Sequence, residues 1–231
     1  MHDGFDLRLN RQLGPHTGSF EDFKTYDDFM TALKTQLKHF LGLAAEEHNI
    51  LLATQTEFFP DAVHSSLMWD AIKVGRDALD RTMPFENGAV MNPVGMMNVV
   101  DSMAAIKKLV FEERKLSAKT LIDALDANWQ GNGCTEVRKM CAAAPKYGNG
   151  DDYVDSIARD LYSFWADTTM TFLTAWGGTM KPAGISITAF PSTTGTVLIR
   201  VYWSLPPVLK LLVVVIHIFA DPFLDSGFQL R

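Results

Sequence analysis

The sequence predicts an α/β chain that is mostly helical with isolated strands, a pattern that suits part of an α/β barrel better than a complete domain. Three observations predict it. Apolar residues recur at helical spacing over several long stretches, and Gly or Pro breaks those stretches. Between them lie two short extended or β-prone runs, residues 83–91 and 184–190.

Composition narrows the class. At 231 residues the chain is long enough to bury a core, and 47% hydrophobic against 21% charged residues is ordinary for a globular protein. The net charge is -6, with Lys and Arg scattered and no basic stripe, so nucleic acid is not an expected partner. Cys134 and Cys141 form no disulfide framework and have no partners at zinc-finger spacing, so no metal is expected. A reducing, cytoplasmic setting is the expectation. The first ten residues lack the apolar core of a signal peptide. The most apolar run, residues 211–220, is much shorter than the roughly 20 residues a membrane helix needs, and no membrane partner is expected.

The elements follow in order. Residues 6–18 read as loop. Thr25 looks like a helix N-cap, with Asp27 and Asp28 in the first turn, where the helix dipole favours acids. Phe29, Leu33, Leu37, Phe40, Leu41 and Ala44 form the apolar stripe of that helix, which can run on through Glu47. Pro60-Asp61 opens a second helix to Val74, with Val63, Leu67, Ala71 and Val74 on one face. Residues 83–91 read as extended because Pro84 and Gly88 oppose a helix. A loop at 92–95 leads into a helix over 97–113 that buries Val100, Met103, Ala104, Leu109 and Val110. Ser117 caps a helix over 118–129, which Gly131 and Gly133 end. A short helix over 135–143 stops at Pro145, and Asp151-Asp152 start a long one reaching about Thr174. Gly177-Gly178 breaks it, and residues 184–190 (GISITAF) read as a buried strand.

From about Thr196 the text becomes VLIRVYWSLPPVLKLLVVVIHIF, with neither alternation nor helical spacing. An uncharged, β-prone run of this kind is an aggregation hazard when exposed. The expected division is therefore residues 1–194, a barrel segment, and residues 195–231, an apolar tail of different character.

Several strings together carry a family resemblance. Residues 101–113 (DSMAAIKKLVFEE), residues 144–149 (APKYGN) with 151–155 (DDYVD), and Gly177-Gly178 with 182–189 (PAGISITA) are similar to three blocks of the glycyl radical enzymes of the pyruvate formate-lyase kind. Gly14 to Gly18, before a long helix, resembles that family's loop just downstream of its cysteine loop. Four blocks in the right order over residues 6–190 make the signal specific. Gly150 stands where the family usually shows an acid.

The resemblance implies a partial segment of the family's ten-stranded barrel. It implies a lyase that cleaves a C–C or C–heteroatom bond by radical chemistry on a small-molecule substrate. It implies no cofactor held in this chain: the family uses a protein glycyl radical, installed by a radical S-adenosylmethionine activating enzyme, and works as a homodimer. The family's glycine-cysteine-x-glutamate loop precedes the matched region, and its arginine-x-x-glycine-tyrosine loop follows it. Neither stands here at its expected place, so the chain is expected to be inactive alone. Where the family shows glycine-alanine-threonine-proline-aspartate-glycine-arginine, this chain has Gly195-Thr196-Val197-Leu198, and the likeness stops near Thr194. A frameshift, a broken gene or a misread gene would each produce that. The alternative is a non-catalytic remnant or interaction subunit.

Gly133-Cys134-Thr135-Glu136 superficially matches the cysteine loop but lies between the second and third family strings, where it reads as a helix-start cysteine. Cys141 reads as a packing residue. No catalytic residue is therefore assigned. Glu86 is the leading pocket candidate, because barrel sites gather at the C-terminal ends of strands; a water-exposed turn glutamate is the competing reading. His16 stands near the expected cysteine loop and could meet substrate or Glu86, or be an ordinary loop histidine. Ile187 and Phe190 offer an apolar pocket wall or plain core packing. Phe85-Glu86-Asn87 with Met91-Asn92-Pro93 resembles the arylacetate decarboxylase branch.

Overall fold

A computed structural model describes residues 2–6, 9–78, 80 and 90–182. Helices dominate: α1 (Tyr26–Phe58), α2 (Ala62–Leu67), α3 (Trp69–Val74), α4 (Met96–Ile106), α5 (Ala118–Asp126), α6 (Cys134–Ala142) and α7 (Asp152–Thr169). The strands are two residues each: β1 (Phe5–Asp6) pairs antiparallel with β2 (Arg11–Gln12), and β3 (Val90–Met91) pairs parallel with β4 (Lys181–Pro182). The parallel register sets Val90 against Lys181 and Met91 against Pro182. A parallel pair separated by helices is the connection that α/β sheets, barrels among them, are built from.

The described residues fall into two compact units. The first comprises those within Met1–Gln36 and Val94–Tyr162. Its core is Phe29, Val100, Met103, Val154 and Leu161, all essentially without solvent contact. Phe20, Phe29 and Phe111 extend it as a ring cluster, with Phe20 and Phe29 centroids 4.8 Å apart. The second unit comprises those within Leu37–Pro93 and Ser163–Ile185. There Met91, Phe172 and Trp176 pack on a buried cluster of Ala45, Leu52 and Met180. Trp165 Nε1 donates to Met91 O at 3.2 Å, fixing β3 to α7. Asn49 donates to Leu173 O and accepts from Ala175 N, pinning the turn after α7 to α1.

The expected caps form. Thr25 Oγ1 accepts from Asp28 N at 3.1 Å while Asp28 Oδ2 accepts from Thr25 N at 3.2 Å, a reciprocal box at the start of α1. Ser117 Oγ accepts from Thr120 N at 3.0 Å to open α5. α4 passes into a π-helical turn, Lys107–Glu112, before Glu113 ends it.

Four expectations need correction. α1 continues well past Glu47 to Phe58, because Leu52 on the same face still finds the second unit's core. The single helix expected over 61–74 is two short ones, because Met68 adopts an extended conformation at φ -99°, ψ 115°. The face expected to carry Val63, Leu67, Ala71 and Val74 is open, with Val63 74% and Leu67 81% exposed and only Ala71 buried. α7 ends at Thr169, not Thr174: Phe172 N and Met180 N turn the chain back through bonds to Thr169 O and Phe172 O. The strand expected over 184–190, most of 83–91 and the tail 195–231 lie outside the described residues.

Candidate functional site

His16 is the sequence candidate that the structure describes. It belongs to a loop knotted around Asp3. Asp3 Oδ1 accepts from the Thr17 and Gly18 amides, and Oδ2 meets His16 Nδ1 at 2.6 Å. These bonds, with the imidazole contact first, hold the Asp3 carboxyl below the usual carboxylate range. An ionised carboxylate only accepts, so Nδ1 carries the proton and donates it to Asp3 Oδ2. The His16 side chain is 77% exposed.

Two further groups build the knot. Gln36, on α1, donates to Pro15 O at 2.7 Å and to Thr17 Oγ1 at 2.8 Å. Gln12 Nε2 donates to Asp3 O at 2.6 Å and Gly14 O at 2.8 Å. Gly4 sits at φ +77° with the Gly14 and Pro15 backbone against it, so a side chain there has neither conformation nor space. The loop is thereby held as one piece against α1. Asp3 was not expected, and its signal is weak in sequence: it is thirteen positions from His16, with no periodicity to relate them.

Glu86, Ile187 and Phe190 lie outside the described residues. Cys134 is the first residue of α6, behind Gly133 at φ +84°, and Glu136 pairs with Lys139 at 2.9 Å on an exposed helix face. That is the helix-start cysteine expected above. Burial pushes the Cys141 thiol up, which suits packing rather than reactivity. Among the described residues no three His, Cys, Asp or Glu side chains converge to hold a metal ion, and no helix is long and apolar enough to cross a membrane.

The lysine-tyrosine-glycine-asparagine string does structural work. Lys146 Nζ donates to Cys141 O at 3.0 Å and Ala144 O at 2.9 Å, closing the end of α6. Burial lowers the Lys146 pKa, opposed by Asp101. Asp101 on α4 accepts from Tyr147 N at 2.8 Å, and burial raises its pKa despite that bond. The string therefore ties the α6–α7 connection to α4.

The fold of short parallel strands between helices, and the ordered strings along it, match a known family. The pyruvate formate lyase-like family model matches residues 1–190. The chain belongs to that family, the glycyl radical enzymes. It is 39% identical over 163 residues to an isethionate sulfite-lyase of Nitratidesulfovibrio vulgaris, covering 70% of this chain and 19% of that protein. A Roseburia inulinivorans structure concerned with 1,2-propanediol dehydration superposes with a TM-score of 0.68 at 30% identity, over 81% of this chain and 24% of that one. The chain spans about a fifth of the length of the curated relatives it matches. An indoleacetate decarboxylase of Tractidigestivibacter scatoligenes matches at 24% identity. The arylacetate branch expected from Phe85-Glu86-Asn87 therefore receives less support than sulfite-lyase and dehydratase relatives do.

Proposed function

We propose that this chain supplies a barrel segment to a glycyl radical lyase that cleaves a C–heteroatom bond of a small polar substrate. The observation that carries the reading is the 39% identity to a sulfite-lyase within a family match over residues 1–190. In this reading a glycyl radical, installed by a radical S-adenosylmethionine activating enzyme, is the stored radical, and a cysteine thiyl generated from it would supply hydrogen abstraction from substrate. No residue described here takes that role. The enzyme works as a homodimer, and its setting is the cytoplasm.

The residues of this chain bind and orient. His16, with Nδ1 fixed by Asp3, offers Nε2 to a polar substituent of the substrate. Glu86 offers a carboxylate to a hydroxyl or moves a proton, and Ile187 and Phe190 form an apolar wall that excludes water. Arylacetate decarboxylation is the second reading, and the Phe85-Glu86-Asn87 string is what favours it.

The test is turnover after the chain is assembled with family segments carrying the cysteine and glycine loops and treated with the activating enzyme. Isethionate, a vicinal diol and an arylacetate are offered in parallel. Sulfite or an aldehyde as product supports the reading. Carbon dioxide from the arylacetate alone would favour the second, and no turnover of any substrate by a radical-bearing assembly would sink both.

A further inference from the structure

The sequence holds three Asn-Gly pairs, beginning at Asn87, Asn132 and Asn149. The first lies outside the described residues. The other two lie in exposed connections of the first unit, Asn132-Gly133 between α5 and α6 and Asn149-Gly150 between α6 and α7. Gly150, standing where the family usually shows an acid, creates the last pair. In such a pair no side chain shields the backbone nitrogen that follows the asparagine, so that nitrogen can reach the side-chain carbonyl carbon. By sequence the two pairs are alike.

The structure separates them. Asn149 Nδ2 donates to Lys146 O at 3.2 Å, and Lys146 is itself anchored through its ammonium to Cys141 O and Ala144 O. The Asn149 amide is thus tied to residue 146, and the tie must break before its carbonyl carbon can be attacked. Asn132 has no such tie. Its connection is hydrogen-bonded as far as Gln130, with Trp129 N donating to Ala124 O at 2.8 Å and Gln130 N to Ala127 O at 3.0 Å. Among the described residues, the amides of Gly131, Asn132 and Gly133 donate to nothing, and the Asn132 side chain has no partner. Gly131 at φ +108° and Gly133 at φ +84° flank it, and no atom lies within 4 Å of where a Cβ on Gly133 would stand. Nucleophile and electrophile are both unrestrained.

We infer that Asn132 is a site of spontaneous covalent modification by deamidation. The Gly133 nitrogen bonds to Asn132 Cγ and closes a cyclic imide. The bond from Cγ to Nδ2 breaks, and the side-chain amide leaves as ammonia with the proton from Gly133. Water then opens the ring at either carbonyl, giving aspartate or isoaspartate. Water is consumed, ammonia is released, and nothing is oxidised or reduced. The aspartate sets a carboxylate just ahead of α6, whose first amides no side chain caps, and the helix dipole favours it there. The isoaspartate instead routes the backbone through the former side chain and lengthens the α5–α6 connection. An isoaspartyl carboxyl methyltransferase is the enzyme class that would recognise this second product.

The test incubates the full chain at neutral pH, native and in denaturing urea. Conversion at each asparagine is followed by peptide mass and by methyl transfer from an isoaspartyl methyltransferase. The expected result is conversion at Asn132 about threefold to tenfold faster than at Asn149 in the native chain, the ratio one exposed hydrogen bond sets, and near-equal rates in urea. Asn132→Gln should remove the isoaspartyl signal from the α5–α6 connection and leave circular dichroism unchanged, because the side chain is exposed and unpartnered. Gly150→Asp should slow conversion at Asn149 and leave Asn132 as it was. Equal or inverted rates in the native chain would overturn the inference. So would a native Asn132 that stays intact while the unfolded chain converts. None of these readouts requires turnover, so the site stands or falls apart from the activity proposed above.

Discussion

The Lys107 ammonium lies 4.5 Å from the centroid of the Tyr153 ring, joining the π-helical turn after α4 to the first turn of α7. The same tyrosine donates from its hydroxyl to Glu112 Oε2 at 2.9 Å, and Lys107 also faces the Tyr26 ring at 5.4 Å. One residue from each end of the π turn thus grips one aromatic side chain. Burial first, then Glu112, raises the Tyr153 pKa above its ordinary value of 10.0. The folded state therefore holds that proton more tightly than the unfolded chain does. The stabilisation is complete below about pH 10 and is lost as pH rises through the folded pKa. Tyr153→Phe should flatten the alkaline limb of stability, read by urea unfolding between pH 8 and 11, while Tyr153→Ala should also lower stability at pH 7.

Gly4→Ala should be more damaging than Gly14→Ala. A methyl on Gly4 meets the backbone of Gly14 and Pro15 and must sit at φ +77°, and neither can yield cheaply. A methyl on Gly14 overlaps the Gln36 amide oxygen, and a flexible side chain can move aside. The cost there is the two bonds from Gln36 to the loop, about 1–3 kcal/mol. Thermal unfolding of the two variants beside Gln36→Ala gives the comparison: Gly14→Ala should resemble Gln36→Ala.

Thr25→Ala should cost about 1 kcal/mol, because it removes the acceptor for the Asp28 amide and half of the reciprocal box. Hydrogen exchange should speed up in the first turn of α1 and remain slow around Leu41, which has no solvent contact.

Leu161→Ala should cost about 2–5 kcal/mol, since Leu161 is fully buried in the first unit. Leu67→Ala, at 81% exposure, should change the stability of the isolated chain by no more than roughly 0.5 kcal/mol.

What the sequence discloses follows from what each signal physically reports. Caps are local, and Thr25, Ser117 and the acids at the start of α7 located three helix starts correctly. Periodicity reports which face of a helix is apolar, not what lies against it. Val63 and Leu67 were thus placed on one apolar face, and both are exposed. The extended Met68 was not foreseen, because no pattern in the apolar spacing encodes a break between Leu67 and Trp69. His16 was legible as a loop residue. Its partner Asp3 was not, because the contact depends on a loop that closes over thirteen residues. The role of Lys146 as a helix-end cap became visible only with the carbonyls of Cys141 and Ala144 in place.

The central claim is that this chain is a segment of a glycyl radical lyase whose radical residues come from other segments of the enzyme. Electron paramagnetic resonance tests it most directly, on the 231-residue chain treated anaerobically with the activating enzyme, alone and after assembly with family segments carrying the two loops. The account predicts no glycyl doublet from the chain alone and a doublet from the assembly. A doublet from the chain alone, or none from an assembly that forms, would contradict it.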